Sequence, residues 1–202
     1  MTSSFKPVKF PNDKASYIAP SWEKMGEVCF SLAKKILKKN LEIDRLIALA
    51  KGGWTWARTM ADFLKIEEVG SIQVQFYSGI YKTKKTPIII QSLPLTIKNE
   101  KVLLFDDIDD SGETLITAEE YLQLCGVKQV TTATLFHKPW SKAKPDFYGG
   151  KTKSWVVFPH EVRETVEELS QKWKKQAIKK PALKKRLAKI GLSKEQIAFF
   201  LK

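Results

Sequence analysis

Hydrophobic and polar positions recur along the chain with two different periods, and each period predicts a type of element. Between residues 21 and 40, apolar side chains recur at steps of three and four, which predicts an amphipathic helix. Residues 70–78 alternate apolar and polar positions, the period of a half-buried strand. Residues 102–105 are apolar without interruption, which is typical of a strand covered on both faces. The same reasoning predicts further strands at residues 43–50, 88–90, 130–136 and 155–158, and helices at 54–64, 115–125 and 161–175.

The order of these elements predicts the fold class. Strands alternate with helices through the middle of the chain, a pattern that indicates an α/β fold with a mainly parallel, doubly wound sheet flanked by helices. We expect one domain over residues 1–170 and a helical extension over residues 171–202. The extension can form two short helices after Pro181, and the apolar stripe of the second one predicts that it packs against the fold.

Composition and charge change this picture in one respect. A chain of 202 residues with 43% hydrophobic residues can form one core, which excludes a disordered chain. The net charge is +13, but residues 170–202 carry eleven basic and one acidic side chain, so +10 belongs to the extension and +3 to the rest. Most of the positive charge therefore lies in the extension and not in the predicted domain. The first interpretation of this extension is an amphipathic cap on the fold or on a dimer. The second is an arm that binds nucleic acid.

Two cysteines, Cys29 and Cys125, give neither a disulfide framework nor a metal-binding spacing. Both lie on apolar helical stripes and are expected to be inert core residues. Residues 1–14 lack the apolar core of a signal peptide, and no stretch approaches the roughly 20 apolar residues that span a bilayer. We therefore expect a cytoplasmic protein without a membrane partner.

The candidate chemistry lies directly after the strand at residues 102–105. Four carboxylates occupy five positions there, at Asp106, Asp107, Asp109 and Asp110. Because like charges repel, such a cluster usually holds a cation or a polyol. Residues 111–114 add two hydroxyls and a helix N-terminus, which suit a phosphate group. This combination favours a phosphorylated sugar as ligand over a calcium loop, whose spacing is absent, and over a merely solvated turn.

Residues 102–115, VLLFDDIDDSGETL, closely resemble the phosphoribosyl-pyrophosphate signature of the type I phosphoribosyltransferases. Three further segments agree in order and spacing. Residues 48–53 are similar to the family's pyrophosphate loop, residues 136–139 to the lysine segment of the 6-oxopurine enzymes, and residues 155–161 to their base-stacking hood. The resemblance covers roughly residues 20–165 and is nearest to the bacterial and archaeal xanthine, guanine and hypoxanthine branch.

The resemblance implies a role for each residue that matches the family's motifs. Asp106 and Asp107 would hold the ribose hydroxyls, directly or through Mg²⁺ and water, and Glu161 would assist a second metal ion through water. Asp110 would lie near purine N7 as the general acid and base. The 5′-phosphate would be bound by Asp110, Ser111, Gly112, Glu113 and Thr114, the pyrophosphate by Lys51 and Gly52, and the purine by Lys138, Trp155 and Val156.

The function implied is that of a Mg²⁺-dependent purine salvage enzyme. It would convert hypoxanthine, guanine or xanthine and phosphoribosyl pyrophosphate into the nucleoside 5′-monophosphate and pyrophosphate, as a homodimer. A lysine ammonium can only donate hydrogen bonds, so Lys138 favours a base with a carbonyl at position 6 over adenine. The alternative is a regulator on the same fold that senses the sugar phosphate and binds nucleic acid through the extension. The enzyme is favoured because Lys51, Asp110, Lys138 and Trp155 are all present.

Two residues depart from the family's pattern. Asp109 stands where an apolar spacer is usual, and Glu113 stands where lysine or glycine is common. We expect the Glu113 side chain to point outward, at a helix N-terminus that favours negative charge. Residues 77–85, with hydroxyls and three lysines, are the expected lid over the reacting centre.

Overall fold

The computed structural model describes residues 5–77 and 86–201. The strands in these residues are β1 (Val8–Lys9), β2 (Ser16–Ile18), β3 (Arg45–Ala50), β4 (Glu68–Tyr77), β5 (Thr86–Gln91), β6 (Lys101–Asp109), β7 (Gln129–His137), β8 (Phe147–Lys151) and β9 (Trp155–Val156). The helices are α1 (Trp22–Leu37), α2 (Gly52–Leu64), α3 (Glu113–Leu124), α4 (Val162–Lys174), α5 (Lys180–Ile190) and α6 (Lys194–Phe200). The chain divides into two compact units, one over residues 27–152 and one that joins residues 5–26 to residues 153–201.

The first unit is built on a six-stranded sheet in the order β5-β4-β3-β6-β7-β8. Every pair of neighbours is parallel except β4 and β5, which pair antiparallel at the edge. Helices flank this sheet, so the predicted doubly wound α/β fold is confirmed. Because β3, β6 and β7 are parallel neighbours, their carboxyl ends lie together at one edge of the sheet, where open α/β sheets bind ligands.

The core of the first unit follows from the apolar runs of the central strands. One face of the sheet packs against α3 through Leu115, Ala118 and Leu122, which share one buried apolar cluster with alternate strand residues such as Ile47 and Leu104. Leu46, Leu103 and Phe105 point to the opposite face because successive strand residues alternate, and they are fully buried as well. Gly126 ends the α3 segment with φ +81°, as its position after the helical pattern predicts.

Strand β6 is longer than its apolar pattern predicts. The sequence indicates an end at Phe105, but the strand continues through the aspartates to Asp109. The reason lies in its neighbour: β7 runs alongside as far as His137, and the parallel register pairs Asp106 with Thr134 and Asp109 with His137. The acidic cluster is therefore partly held on a strand rather than on a free loop.

The second unit contains a small sheet in the order β1-β2-β9. Its core consists of aromatic and aliphatic side chains from residues 8–19, from α4 and from the C-terminal extension. Leu183 and Leu187 of α5 and Ile197 of α6 are buried in it, which confirms that the extension packs. The hydroxyl of Ser193 accepts a hydrogen bond from the backbone N–H of Gln196 at 3.1 Å and caps α6.

None of the helices in residues 5–77 and 86–201 combines the length and the apolar composition needed to cross a membrane. Cys29 is buried, as predicted, and burial raises the pKa of its thiol to about 12. Cys125 is half-buried at the end of α3 and packs beside its apolar face.

Candidate active site

The predicted phosphate loop lies between β6 and α3. Gly112 has φ +86°, and a Cβ at this residue would lie 2.3 Å from the backbone nitrogen of Ala143. Only glycine fits such a position. Helix α3 begins at Glu113, whose backbone N–H donates to the hydroxyl of Ser111 at 3.3 Å, and Thr114 follows half-buried in the first helical turn. A helix N-terminus of this kind presents backbone N–H groups and the positive end of the helix dipole to an anion.

Two adjacent carboxylates precede this loop. Asp107 is buried, and the carboxylate of Asp106 accepts a hydrogen bond from the backbone N–H of Asp107 at 2.9 Å. Burial and the neighbouring Asp107 carboxylate together raise the pKa of Asp106 well above its usual value. Removal from water and like charge both disfavour the ionised pair, so a cation bound at these oxygens would stabilise it.

The segment after β3 approaches this pair closely. The peptide bond between Ala50 and Lys51 is cis, and Lys51 is exposed at the N-terminus of α2. A Cβ at Gly52 would lie 2.5 Å from a carboxylate oxygen of Asp107. The absence of a side chain at this residue therefore lets the predicted pyrophosphate loop reach the aspartates.

Asp109 has a different role from its neighbours. It is buried, and one of its carboxylate oxygens lies 2.7 Å from Nδ1 of His137, while the other accepts a hydrogen bond from the Ser141 hydroxyl at 2.7 Å. Its backbone carbonyl also accepts from the N–H of Lys138 at 2.9 Å. Asp109, which stands where the family usually has an apolar spacer, therefore has a polar partner on the adjacent strand. Its contacts connect residues 137–141 to β6.

The predicted purine-binding lysine and the predicted general base lie beside one indole. The indole N–H of Trp140 donates to the Asp110 carboxylate at 2.9 Å, and the Lys138 ammonium lies 5.3 Å from the centre of the Trp140 ring. Lys138 is buried, which lowers the pKa of its ammonium, whereas the nearby Asp110 carboxylate raises it. Trp140 therefore connects two groups that the resemblance assigns to the base.

Glu113, the second departure, has its charge matched locally. Its carboxylate accepts a hydrogen bond from the ammonium of Lys142 at 2.7 Å, and its side chain is partly exposed at the start of α3. Both the helix dipole and this lysine favour the acid there. The expected outward orientation agrees with this contact.

The remaining predicted residues lie in the second unit. Trp155 and Val156 form β9, where Trp155 pairs with Tyr17 and Val156 with Ile18. Trp155 is 41% exposed as a residue, and it lines an open cavity of about 460 Å³ together with residues of α4. Glu161 precedes α4, and one of its carboxylate oxygens lies 3.9 Å from Nε2 of His160.

The sequence pattern assigns no role to His137, Trp140 or Ser141. Their signal is the parallel register of β6 with β7, which sets the 137–141 segment beside the aspartates. Of the expected lid, residues 78–85 lie outside the described part of the chain.

Comparison with known proteins places this geometry in a family. The family model described as "Phosphoribosyl transferase domain" matches residues 21–166. Xanthine-guanine phosphoribosyltransferase of Gluconobacter oxydans is 25% identical over 145 residues, which cover 71% of this chain and 83% of that protein. Hypoxanthine phosphoribosyltransferase of Buchnera aphidicola is 34% identical over 96 residues, or 46% of this chain and 54% of that protein.

A solved structure supports the same family assignment. The crystal structure of purine phosphoribosyltransferase from Pyrococcus horikoshii superposes with a TM-score of 0.65 at 31% identity, covering 71% of this chain and 93% of that one. The family model spans more than two thirds of the chain, over the whole stretch that carries the phosphate loop, the aspartates and the lysine segment. The chain belongs to the phosphoribosyl transferase domain family.

Proposed function

We propose that this protein is a purine phosphoribosyltransferase that joins a 6-oxopurine to phosphoribosyl pyrophosphate and releases pyrophosphate. The observation that carries the proposal is the grouping of Lys138 and Asp110 around Trp140, at the sheet edge that also holds the Ser111 loop. One end of this arrangement suits a base and the other a phosphate. The names of the three relatives compared above agree, since all are transferases and two are named for 6-oxopurines.

Base selection rests on Lys138. Its ammonium offers hydrogen-bond donors and no acceptor, so it complements the carbonyl oxygen at position 6 of hypoxanthine, guanine or xanthine. Adenine carries an amino group at that position, and two donors would then face each other without an acceptor. A buried site that leaves such groups unpaired rejects the wrong substrate strongly.

Proton transfer is assigned to Asp110. Purine N9 attacks C1′ of the ribose with its lone pair, the bond from C1′ to the pyrophosphate oxygen breaks, and pyrophosphate leaves with the bonding electrons. The proton on N7 passes to the Asp110 carboxylate, which leaves a neutral purine in the product. The indole N–H of Trp140 donates to one oxygen of this carboxylate at 2.9 Å, and the proposal assigns the other oxygen to the proton from N7.

The anionic parts of the substrate are assigned to two backbone segments. Residues 110–114 bind the 5′-phosphate, because a glycine in the left-handed region and a helix N-terminus direct N–H groups at it. Lys51 and Gly52 bind the pyrophosphate, whose negative charge grows as the bond to C1′ breaks. A cation and backbone N–H groups placed before that charge develops stabilise the transition state.

The donor set of Asp106 and Asp107 fits Mg²⁺. These are hard carboxylate oxygens, adjacent in sequence, and a cation bound between them would relieve the like-charge repulsion that, together with burial, raises the pKa of Asp106. When bound there, Mg²⁺ supplies positive charge to the ribose hydroxyls and the pyrophosphate. The roles of Trp155 as a stacking surface, of the Val156 backbone at the base edge and of Glu161 toward a second metal ion stay predictions, as do the homodimer and the cytoplasmic location.

The proposal is tested by a substrate comparison. Purified protein is supplied with Mg²⁺, phosphoribosyl pyrophosphate and, in separate reactions, hypoxanthine, guanine, xanthine and adenine. We expect nucleotide from at least one 6-oxopurine and none from adenine. Binding of phosphoribosyl pyrophosphate without product from any of the four bases would overturn the enzyme assignment and favour the regulator. Equal rates with adenine would remove the role of Lys138.

A further inference from the structure

The C-terminal extension, residues 171–202, is the part of the chain that the proposed function leaves unused. It lies beyond residues 21–166, which the family model matches. It carries most of the net positive charge of the protein, yet most of its large apolar side chains are buried. More than half of the buried side chains described in the core of the second unit come from it: Trp173, Leu183, Leu187, Ile190, Leu192, Ile197 and Leu201.

A buried carboxylate joins this extension to the N-terminal segment. The side chain of Asp13 is fully buried and accepts hydrogen bonds from the Tyr17 hydroxyl at 2.6 Å, the Trp173 indole N–H at 2.8 Å and the Lys172 ammonium at 2.9 Å. The backbone N–H of Ala15 donates to it at 3.1 Å. Four donors to one buried charge fix the geometry of every group that takes part, since each would be left unpaired by a shift.

Helix α5 contacts the aromatic rings around this network through Arg186. The Arg186 guanidinium lies 4.9 Å from the centre of the Phe10 ring and 5.3 Å from that of Trp173, and it donates to the carbonyl of Pro11 at 3.4 Å. The Phe10 and Trp173 rings meet edge to face at 5.5 Å, and Tyr17 meets Trp173 edge to face at 5.8 Å. Arg186 therefore serves as a packing residue of the aromatic core, whereas its neighbour Lys185 is exposed.

The network ends at the predicted base-stacking residue. Tyr17 lies on β2 and pairs in register with Trp155 on β9, and Ile18 pairs with Val156. Lys172 contacts the Tyr17 hydroxyl at 2.8 Å and also lines the open cavity beside the Trp155 side chain. A two-residue strand such as β9 has few hydrogen bonds of its own, so its position depends on the strand to which it is paired.

We propose that the C-terminal extension is a positioning element for purine binding: through Arg186, Trp173, Asp13 and Tyr17 it holds β2 in place, and β2 sets the position of Trp155 and Val156. This inference rests on the proposed function, because it takes Trp155 and Val156 as base-binding residues. It assigns a role to the extension that needs no nucleic acid, and it distinguishes residues that pack inward from lysines that face solvent.

Two substitutions on the same helix provide a matched test. Arg186→Met and Lys185→Met each remove one positive charge from α5, but only the first removes a group from the aromatic core. We expect Arg186→Met to raise KM for hypoxanthine about tenfold, because small displacements of a binding group cost much affinity, and to leave KM for phosphoribosyl pyrophosphate unchanged. Lys185→Met should change neither constant. Arg186→Lys, which keeps a cation over the rings, should restore most of the lost affinity for hypoxanthine.

Tyr17→Phe gives a second variant in case Arg186→Met fails to fold, since it removes one hydroxyl and keeps the ring. It should raise KM for hypoxanthine with the same selectivity. The inference is overturned if the folded variants have a lower thermal midpoint but unchanged KM values, or if the KM values for hypoxanthine and phosphoribosyl pyrophosphate rise together. It is also overturned if Lys185→Met has the same effect as Arg186→Met, because the effect would then come from the positive charge of the surface and not from the aromatic core. A wild-type protein without turnover contradicts the proposed function, whereas an active wild type with insensitive variants contradicts this inference alone.

Discussion

The Asp109 carboxylate and Nδ1 of His137 lie 2.7 Å apart in the interior of the first unit, on parallel strands whose register sets the two residues opposite each other. The contact joins the aspartate that departs from the family's motif to the residue next to the predicted purine-binding lysine. It couples the position of the acidic strand to that of the lysine segment. Asp109 is thereby assigned to support of the site, and Asp106, Asp107 and Asp110 to the ligands.

A double-mutant cycle on this pair tests that assignment. Asp109→Leu leaves His137 and the Ser141 hydroxyl without their carboxylate, and His137→Phe leaves Asp109 buried with one partner fewer. Each change should lower the free energy of unfolding by about 2–3 kcal/mol, whereas the double variant should lose less than the sum because both polar groups are gone. Urea denaturation measures all four proteins. Strictly additive losses would show that the two side chains do not interact.

Gly52 should tolerate no side chain. Gly52→Ala places a methyl group 2.5 Å from the Asp107 carboxylate, which then has to move. We expect kcat/KM for phosphoribosyl pyrophosphate to fall about tenfold or more. Gly26→Ala is the matched control, since a Cβ there meets no atom within 4 Å; it lies in α1 and should retain full activity with a stability gain of up to about 1 kcal/mol. Full activity of Gly52→Ala would contradict the close approach of the two loops.

Lys138 predicts an alkaline limit of activity. Burial lowers the pKa of its ammonium below the ordinary value of 10.5, so the positive charge is present at lower pH and lost as pH rises through the lowered pKa. We expect kcat/KM for hypoxanthine to decline on that alkaline side. Lys138→Arg should move the decline upward because a guanidinium keeps its proton. The titration of the purine itself affects wild type and Lys138→Arg equally. If activity declines at the same alkaline pH in both proteins, the decline is not caused by Lys138.

Asp13 predicts a loss of stability in acid. Burial alone would raise its pKa, but the hydrogen bonds from Tyr17, Trp173 and Lys172 outweigh burial and lower it below the ordinary value of 3.8. A carboxyl group whose pKa is lowered on folding stabilises the folded state at pH values above its ordinary pKa. This stabilisation is lost as pH falls through the pKa of the group in the folded protein. Asp13→Asn should therefore cost about 2–3 kcal/mol at pH 7, and the difference from wild type should shrink below about pH 4.

Asp62→Asn is the control for this comparison. Asp62 forms an exposed pair with Arg58 at 3.4 Å on α2, and such pairs contribute little. Its loss should change the free energy of unfolding by under about 0.5 kcal/mol at either pH. A difference between Asp13→Asn and wild type that persists unchanged into acid would place the stabilising interaction elsewhere.

The long periodic elements were predictable from sequence because packing agrees with local pattern there: α1, β3, β4 and β7 each differ from prediction by only a few residues at their ends. Strands β1, β2 and β8 were not predicted. β1 and β2 contain two and three residues, and β8 has two adjacent glycines and no alternation. Such segments become strands only through their partners, which a local pattern does not contain.

The candidate site also has a part that the sequence predicts and a part that depends on tertiary contacts. The motif from Asp106 to Thr114 is contiguous, so the sequence alone identifies it. The contacts of Asp109 with His137 and of Asp110 with Trp140 join residues 28 and 30 positions apart, and they arise from the parallel register of β6 with β7. The extension was predicted to pack, yet its connection to Tyr17 and β9 depends on tertiary contacts that link the two ends of the chain.

The most direct test of the central claim is to measure the products of one turnover reaction. Wild-type protein, Mg²⁺, hypoxanthine and phosphoribosyl pyrophosphate are incubated together, and nucleoside monophosphate and pyrophosphate are quantified by chromatography with mass spectrometry. The account predicts equal amounts of the two products, and it predicts that Asp110→Asn retains binding of phosphoribosyl pyrophosphate and forms neither. Pyrophosphate release without nucleotide, or undiminished turnover by Asp110→Asn, would contradict it.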